Sequence, residues 1–136
     1  MSETAKNSSK IYLIAMSVYW VIFGLITIFA PQLMDLFQSQ EGIGAKTEFS
    51  NHVWMHDGFD IVSLCIVLFA LSREKLSRNI LRAVAFAALL PTLSIANSLL
   101  TTPYWNPLFI GAGLGCCVFV IWGFVLAGRM KDSESK

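Results

Sequence analysis

Four long apolar segments dominate the chain and predict four membrane-spanning helices. The segments are residues 11–30, 53–71, 80–100 and 108–126. Each has about twenty residues, enough to cross roughly 30 Å of hydrocarbon as a helix. The apolar residues come in blocks rather than in the stripes of a soluble amphipathic helix. We therefore predict one all-α domain over residues 1–136, an integral-membrane four-helix bundle with up-down-up-down connections, in which the short 72–79 connection makes helices two and three antiparallel neighbours.

Composition supports the bilayer as the surroundings of this chain. Hydrophobic residues make up 55% and charged residues only 14%, where a soluble domain has about a quarter charged residues. Mean hydropathy is +0.61. The sequence has no phosphate-binding loop, no Ser-His-Asp ordering and no basic aromatic patch. These observations argue against hydrolase, nucleotide-binding and nucleic-acid-binding functions.

The basic residues are distributed unevenly between the two sides of the predicted bundle. If four spans alternate, only Lys46 falls on the side of the 31–52 connection. The other nine fall on the opposite side: Lys6, Lys10, Arg73, Lys75, Arg78, Arg82, Arg129, Lys131 and Lys136. Cytoplasmic loops carry the excess of Lys and Arg in membrane proteins. We therefore expect both termini in the cytoplasm and the 31–52 connection outside.

Ionisable residues cluster at the head of the second span. Glu48, His52, His56 and Asp60 recur at every fourth position, with Asp57 beside them. Residues four apart share one helix face, with about 40° of drift per step. Such groups cost a few kcal/mol each inside a bilayer and usually mark function. This series is therefore the candidate functional site.

His56 is the candidate metal or cofactor ligand in this cluster. A neutral imidazole binds haem iron, zinc or copper and needs an acceptor on its other nitrogen, which Asp60 one turn deeper could supply. His52 is a candidate second ligand. Asn97 in helix three and Tyr104 in the following turn are candidate partners at the same level. The alternative is that His56 and Asp60 form a structural hydrogen-bonded pair.

Two short motifs resemble styrene oxide isomerase, a family of small four-span membrane enzymes. They are His56-Asp57-Gly58, followed by an apolar run, and Ala96-Asn97 in helix three. The resemblance implies haem b with His56 as its axial ligand and Asp60 or Asn97 near the substrate. In that family the ferric iron binds an epoxide oxygen, and rearrangement gives an aldehyde without net redox change.

The chain departs from that family at two positions and is also similar to a second class. The family's helix-three tyrosine has no clear counterpart, although Tyr104 lies nearby, and its helix-two asparagine is not matched, with only Asp60 and Ser63 in the neighbourhood. The run from Gly24 to Pro31, with Asp57-Gly58 opening helix two, equally resembles the broad DoxX-like class of four-span proteins. Members of that class often serve as membrane subunits.

Three functional hypotheses follow from the sequence. The first is a cofactor-dependent membrane enzyme acting on a small hydrophobic molecule, for example a haem b epoxide isomerase. The alternatives are a non-enzymatic accessory subunit of a membrane complex and a small proton-coupled carrier. Gly111, Gly115 and Gly123 in helix four either serve packing within the bundle or form a homo-oligomer contact. We expect a homo-oligomer.

Local sequence features predict how the helices begin, end and pack. Pro31 ends helix one, and residues 32–37 form a short amphipathic segment with Leu33, Met34, Leu36 and Phe37 toward lipid. The second helix should begin before His52 or be irregular at Asp57-Gly58. Pro91 should open space within the bundle, and Tyr19 needs a buried partner for its hydroxyl group.

Overall fold

The protein is an all-α four-helix bundle, as the hydrophobic pattern predicts. A computed structural model describes residues 3–130, except the side chains of residues 3–6, 48 and 49. Its elements are α1 (Glu3–Phe29), a 3-10 helix (Pro31–Phe37), the short α2 (Gln40–Gly44), α3 (Glu48–Leu71), α4 (Arg78–Thr101) and α5 (Leu108–Arg129). Four of these helices, α1, α3, α4 and α5, contain segments long and apolar enough to span a bilayer. The chain is a multi-pass membrane protein.

The helix ends follow from local capping residues. Thr47 caps α3: its hydroxyl accepts from the backbone N–H of Ser50, and the Ser50 hydroxyl accepts from the N–H of Thr47. The Ser77 hydroxyl caps α4 by accepting a hydrogen bond from the backbone N–H of Ile80. Such caps satisfy N–H groups that have no partner within the helix. The prediction that the second helix begins before His52 is confirmed, and Asp57 lies inside α3.

The four spanning helices form two close pairs. α1 packs along α3 and α4 packs along α5, while a smaller contact between α1 and α5 joins the pairs. α3 and α4 follow one another in the chain but do not form a close pair. They are the expected antiparallel neighbours in that they line one common groove, which lies between them in place of a close contact.

Two glycines set the distance between α1 and α3. A methyl group on Gly24 would lie 2.8 Å from Cγ2 of Val62 and 3.1 Å from the carbonyl oxygen of Gly58. A methyl group on Gly58 would lie 2.8 Å from the carbonyl oxygen of Gly24 and would also meet the Thr27 hydroxyl. Small residues allow such close backbone approach between membrane helices. Gly58 therefore fixes which face of α3 meets α1.

Two tyrosines of α1 fill notches at two glycines of α5. The Tyr12 ring lies where a Gly123 side chain would be, and the Tyr19 ring occupies the same position at Gly115. The Tyr19 hydroxyl donates to the carbonyl oxygen of Ala112 at 2.9 Å, which is the buried partner that this residue required. Gly115 and Gly123 therefore serve packing within the bundle, whereas Gly111 faces open space.

A cap formed by the 3-10 helix, α2 and the 102–107 turn closes one end of the bundle. The Asn106 side chain donates to the carbonyl oxygens of Leu36 and Gln38 at 2.7 and 3.0 Å. The N–H of Ser39 donates to the carbonyl oxygen of Tyr104 at 2.8 Å. We call this end of the bundle the cap end and the opposite end the loop end.

The amphipathic segment of the cap is only partly oriented as the sequence predicts. Leu33 and Leu36 are exposed, in agreement with a lipid-facing role. Met34 is buried, and the Phe37 ring lies 5.9 Å from that of Phe23 in α1. A 3-10 helix repeats every three residues, so Met34 and Phe37 share its inner face.

Candidate functional site

A central cavity of about 160 Å³ lies between the four helices in the cap half of the bundle. Its walls are largely aromatic and aliphatic, and the lining includes Trp20, Phe23, Trp54, Ile61, Ile95 and Phe109. In the loop half, Tyr12, Leu13 and Leu81 are fully buried. An apolar cavity of this size can hold a benzene-sized molecule.

Asp57 is the only charged residue among the described residues that line the central cavity. Its position follows from Gly58: residue 57 lies about 100° around the helix from the face that α3 presents to α1. That rotation turns Asp57 toward the space between α3 and α4, where the side chains of Asp57 and Ser94 are exposed at an open side of the cavity. A carboxyl group in apolar surroundings within a span is a candidate for binding or proton transfer.

The other polar groups of the cavity differ in whether they are already paired. The hydroxyl of Tyr19 donates to Ala112, and that of Thr27 donates to the carbonyl oxygens of Phe23 and Gly24. Asp57 and Ser94 make no side-chain hydrogen bond within the part of the chain that the structure describes. These two are therefore the carboxyl and hydroxyl groups of the described lining that are available to a molecule in the cavity.

An apolar groove of about 580 Å³ runs between α3 and α4, from the central cavity toward the loop end. Trp20, Ile61 and Pro91 line both the groove and the cavity, so the two spaces are adjacent. Pro91 lies inside α4, as expected of a residue that opens space within the bundle. The groove gives the cavity a side that faces the bilayer.

A third space, the cap pocket of about 340 Å³, lies beneath the cap. Trp54 lines both this pocket and the central cavity. Its ring lies 5.8 Å from that of Trp105, which stacks on Phe109 at 4.0 Å. This aromatic cluster forms the wall between the cap pocket and the cavity.

The candidate residues His52, His56 and Asp60 lie together on one exposed face of α3. They are far around the helix from Gly58, so their face points away from α1 and they do not line the central cavity. No hydrogen bond joins His56 to Asp60 among the described residues. The side chain of Glu48, the first member of the series, lies outside the described residues.

The other two candidates are placed elsewhere. Asn97 is exposed on α4 and lines neither the cavity nor the groove, and Tyr104 lines the cap pocket. The described residues contain no group of three or more His, Cys, Asp or Glu side chains that could hold a metal ion. The five candidates are therefore not brought into one cavity of this chain.

Sequence reasoning missed Trp54, Asp57 and Ser94 as the groups around the cavity. The sequence shows Asp57 as an acid, but the four-residue spacing of its neighbours points to an adjacent face of α3, about 60–100° around the helix from Asp57. Gly58 was the usable signal, because a glycine in a membrane helix often marks its closest contact.

Comparison with known proteins adds no family to this description. No protein-family model matches the chain, and neither a curated protein nor a solved structure matches it significantly.

Proposed function

We propose that the protein takes up a small hydrophobic molecule from the bilayer into the central cavity and acts on it there as a membrane-embedded enzyme. The observation that carries the proposal is the Asp57 carboxyl, which makes no hydrogen bond among the described residues and is the one charged group among those that line this largely apolar cavity. A molecule of benzene size with one polar atom matches this lining. Asp57 would donate a proton to, or accept one from, that polar atom, with Ser94 as a second hydrogen-bonding group.

An isomerisation suits this set of groups. Opening an epoxide requires a proton on its oxygen, and forming the aldehyde returns a proton, so one carboxyl group could serve both steps. No nucleotide or second substrate is needed, and the groove supplies a route from the bilayer. The proposal thus has the same class of substrate as the hypothesis from the sequence, but it assigns the acid–base role to Asp57 in place of Asp60.

Matched ligands test this proposal. Benzyl alcohol and toluene differ by one hydroxyl group, and a hydrogen bond to a charged group contributes about 1.5–3 kcal/mol. We expect Asp57→Asn to weaken benzyl alcohol binding by about tenfold or more and to leave toluene binding unchanged, as measured by calorimetry on detergent-purified protein. Asp60→Asn, which changes an exposed carboxyl on the same helix, is the control. Equal effects of the two substitutions would contradict the proposal.

Haem b at His56 is the second candidate. The observation in its favour is an exposed imidazole with no hydrogen-bonding partner among the described residues, flanked by the exposed apolar side chains of Val53 and Phe59. His56 would hold the haem iron through its imidazole, and His52 and Asp60 would lie on the same face of α3. α3 alone covers one side of such a group, so a second copy of the chain would have to cover the other. A bound ferric haem would supply a Lewis acid for epoxide opening.

An absorption spectrum separates the two candidates. Protein purified in detergent, with haem offered during expression, should show a Soret band that is lost in His56→Ala and retained in Asp57→Asn if haem binds at His56. A colourless protein that binds benzyl alcohol would exclude the haem candidate and support the cavity proposal. A colourless protein that binds neither ligand and co-purifies with a larger complex would favour an accessory subunit.

We also propose that both termini face the cytoplasm and that the cap end faces outward. The support is the nine-to-one distribution of Lys and Arg residues, with Lys46 alone in the outer connection. A small proton-coupled carrier is the remaining alternative. It predicts pH-dependent uptake into vesicles that Asp57→Asn or Asp60→Asn abolishes.

A further inference from the structure

The groove between α3 and α4 is more extensive than a benzene-sized substrate requires. It is lined by α3 from Ile61 to Leu71 and by α4 from Ile80 to Pro91, with Met16 and Trp20 of α1 behind them. Ten residues of helix separate Ile61 from Leu71, a length of about 15 Å at 1.5 Å per residue. One leaflet of the bilayer has about the same hydrocarbon thickness, half of roughly 30 Å.

The groove and the central cavity together match the size of a typical ligand site, whereas the cavity alone does not. Ligand pockets usually measure about 300–1,000 Å³. The cavity measures about 160 Å³ and the groove about 580 Å³. Any ligand larger than a single ring must therefore extend from the cavity into the groove.

The chemistry of the two spaces differs in a way that selects an amphiphile. Charged and hydroxyl groups of the lining occur only in the cavity, where Asp57 and Ser94 are available. None of the residues that line the groove carries a charge or a hydroxyl group. Ala83, Ala87 and Ala88 line its α4 side, and these small side chains leave the space between the two helices open.

We propose that the ligand of the central cavity is a single-chain amphiphile, with its polar end at Asp57 and its apolar chain along the α3–α4 groove. This inference rests on the proposed function and specifies its substrate class. An apolar chain that enters the groove exchanges contacts with lipid for similar contacts with protein, so the chain adds little binding affinity. Its main effect is to orient the molecule. The groove then determines which part of the molecule reaches Asp57.

Photolabelling in vesicles tests where the chain lies. Two long-chain primary alcohols would be used, one with a diazirine next to the hydroxyl end and the other with a diazirine at the far end. We expect the first probe to label residues near Trp54 and Ser94, and the second to label residues near Leu71 and Ile80. Labelling by the second probe that spreads over exposed residues of all four helices, such as Phe29, Leu100 and Leu114, would show ordinary lipid contact and overturn the inference.

Filling the groove provides the second measurement. Ala83→Phe places a large side chain in the groove and should reduce far-end labelling at Leu71 at least tenfold. Ala96→Phe makes the same change at an exposed position on α4 outside the groove and the cavity, and should leave that labelling unchanged. Thermal denaturation and gel filtration would establish that both variants fold. Unchanged labelling in folded Ala83→Phe would overturn the inference.

The binding of benzyl alcohol to the unaltered protein separates the two proposals. If benzyl alcohol binds in the manner that depends on Asp57 and far-end labelling is scattered, only the amphiphile inference fails. If benzyl alcohol does not bind at all, the proposed function fails and the inference fails with it.

Discussion

His56, Asp57 and Asp60 of α3 are all exposed, but only Asp57 lines the central cavity. Asp57 faces a cavity formed by four helices and shares it with Trp54 and Ser94. His56 and Asp60 lie on the face directed away from α1, where they are exposed and make no hydrogen bond to one another among the described residues. Neighbours in sequence thus differ in whether they border the cavity, although all three side chains are exposed. Spacing along a helix identifies groups that share a face but not the direction of that face.

The face of α3 that carries His56 and Asp60, which we call the histidine face, places an acidic group inside a membrane span. Asp60 lies near the middle of the Ser50–Leu71 span, and an aspartate at a helix centre costs about 2.5–3.5 kcal/mol on insertion scales. Contact with another polar group reduces such a cost. We therefore propose that a second copy of the chain covers this face, through α3 rather than through the glycines of α5. The comparison between the two sides can be tested by changing each in turn.

The largest effect should come from the contact that orients α3. In Gly58→Ala the added methyl group would meet the Gly24 carbonyl oxygen and the Thr27 hydroxyl, so α1 and α3 must move apart. Overpacking of this kind costs about 1–3 kcal/mol. We expect a clearly lower midpoint of thermal denaturation in detergent. Gly111→Ala, where nothing lies within 4 Å, should leave stability unchanged or slightly higher. Equal midpoints for the two variants would show that Gly58 does not set the contact.

An intermediate effect, on oligomerisation, should follow from removing the polar groups of the histidine face. Hydrogen bonds between membrane helices contribute about 0.6–1.7 kcal/mol each. His56→Leu and Asp60→Leu should therefore each shift the equilibrium between monomer and oligomer by about 3- to 20-fold toward monomer. Analytical ultracentrifugation in detergent would measure this equilibrium. Asn97→Leu, on the exposed face of α4, is the control and should not change it. A shift in Asn97→Leu alone would assign the interface to α4.

The smallest effect should come from a contact that belongs to neither side of α3. Lys46, just before α3, pairs with Asp35 of the 3-10 helix at 2.7 Å, and both side chains are partly accessible to solvent. Ion pairs of this kind contribute about 0–1 kcal/mol. Lys46→Gln should lower the denaturation midpoint only slightly and leave benzyl alcohol binding and oligomerisation unchanged. A double-mutant cycle with Asp35→Asn would isolate the pair, and strong coupling would indicate that the cap supports the cavity directly.

The helices themselves could be read from local features, whereas the cavity could not. Thr47 and Ser77 precede apolar segments and cap them, and Pro31 follows α1, so the bounds of these helices follow from neighbouring residues. Pro91 and Tyr19 also behaved as their chemistry required. The cavity depends instead on which residues of four separate helices meet. Spacing within α3 points to His56 and Asp60, which lie about 100° and 60° around the helix from Asp57 and do not line the cavity.

The sequence by itself determined that four helices span the membrane, because the hydropathy and length of a segment are local properties and they decide whether it can cross the bilayer as a helix. Only the tertiary structure decided which side of α3 faces inward. In a soluble protein the polar face of a helix turns to water, but lipid is as apolar as the bundle interior and provides no such guide. The orientation was set by shape, through the approach of Gly24 to Gly58 and the two tyrosines that fill the glycine notches of α5. Those contacts place Asp57 at the cavity and leave His56 outside it.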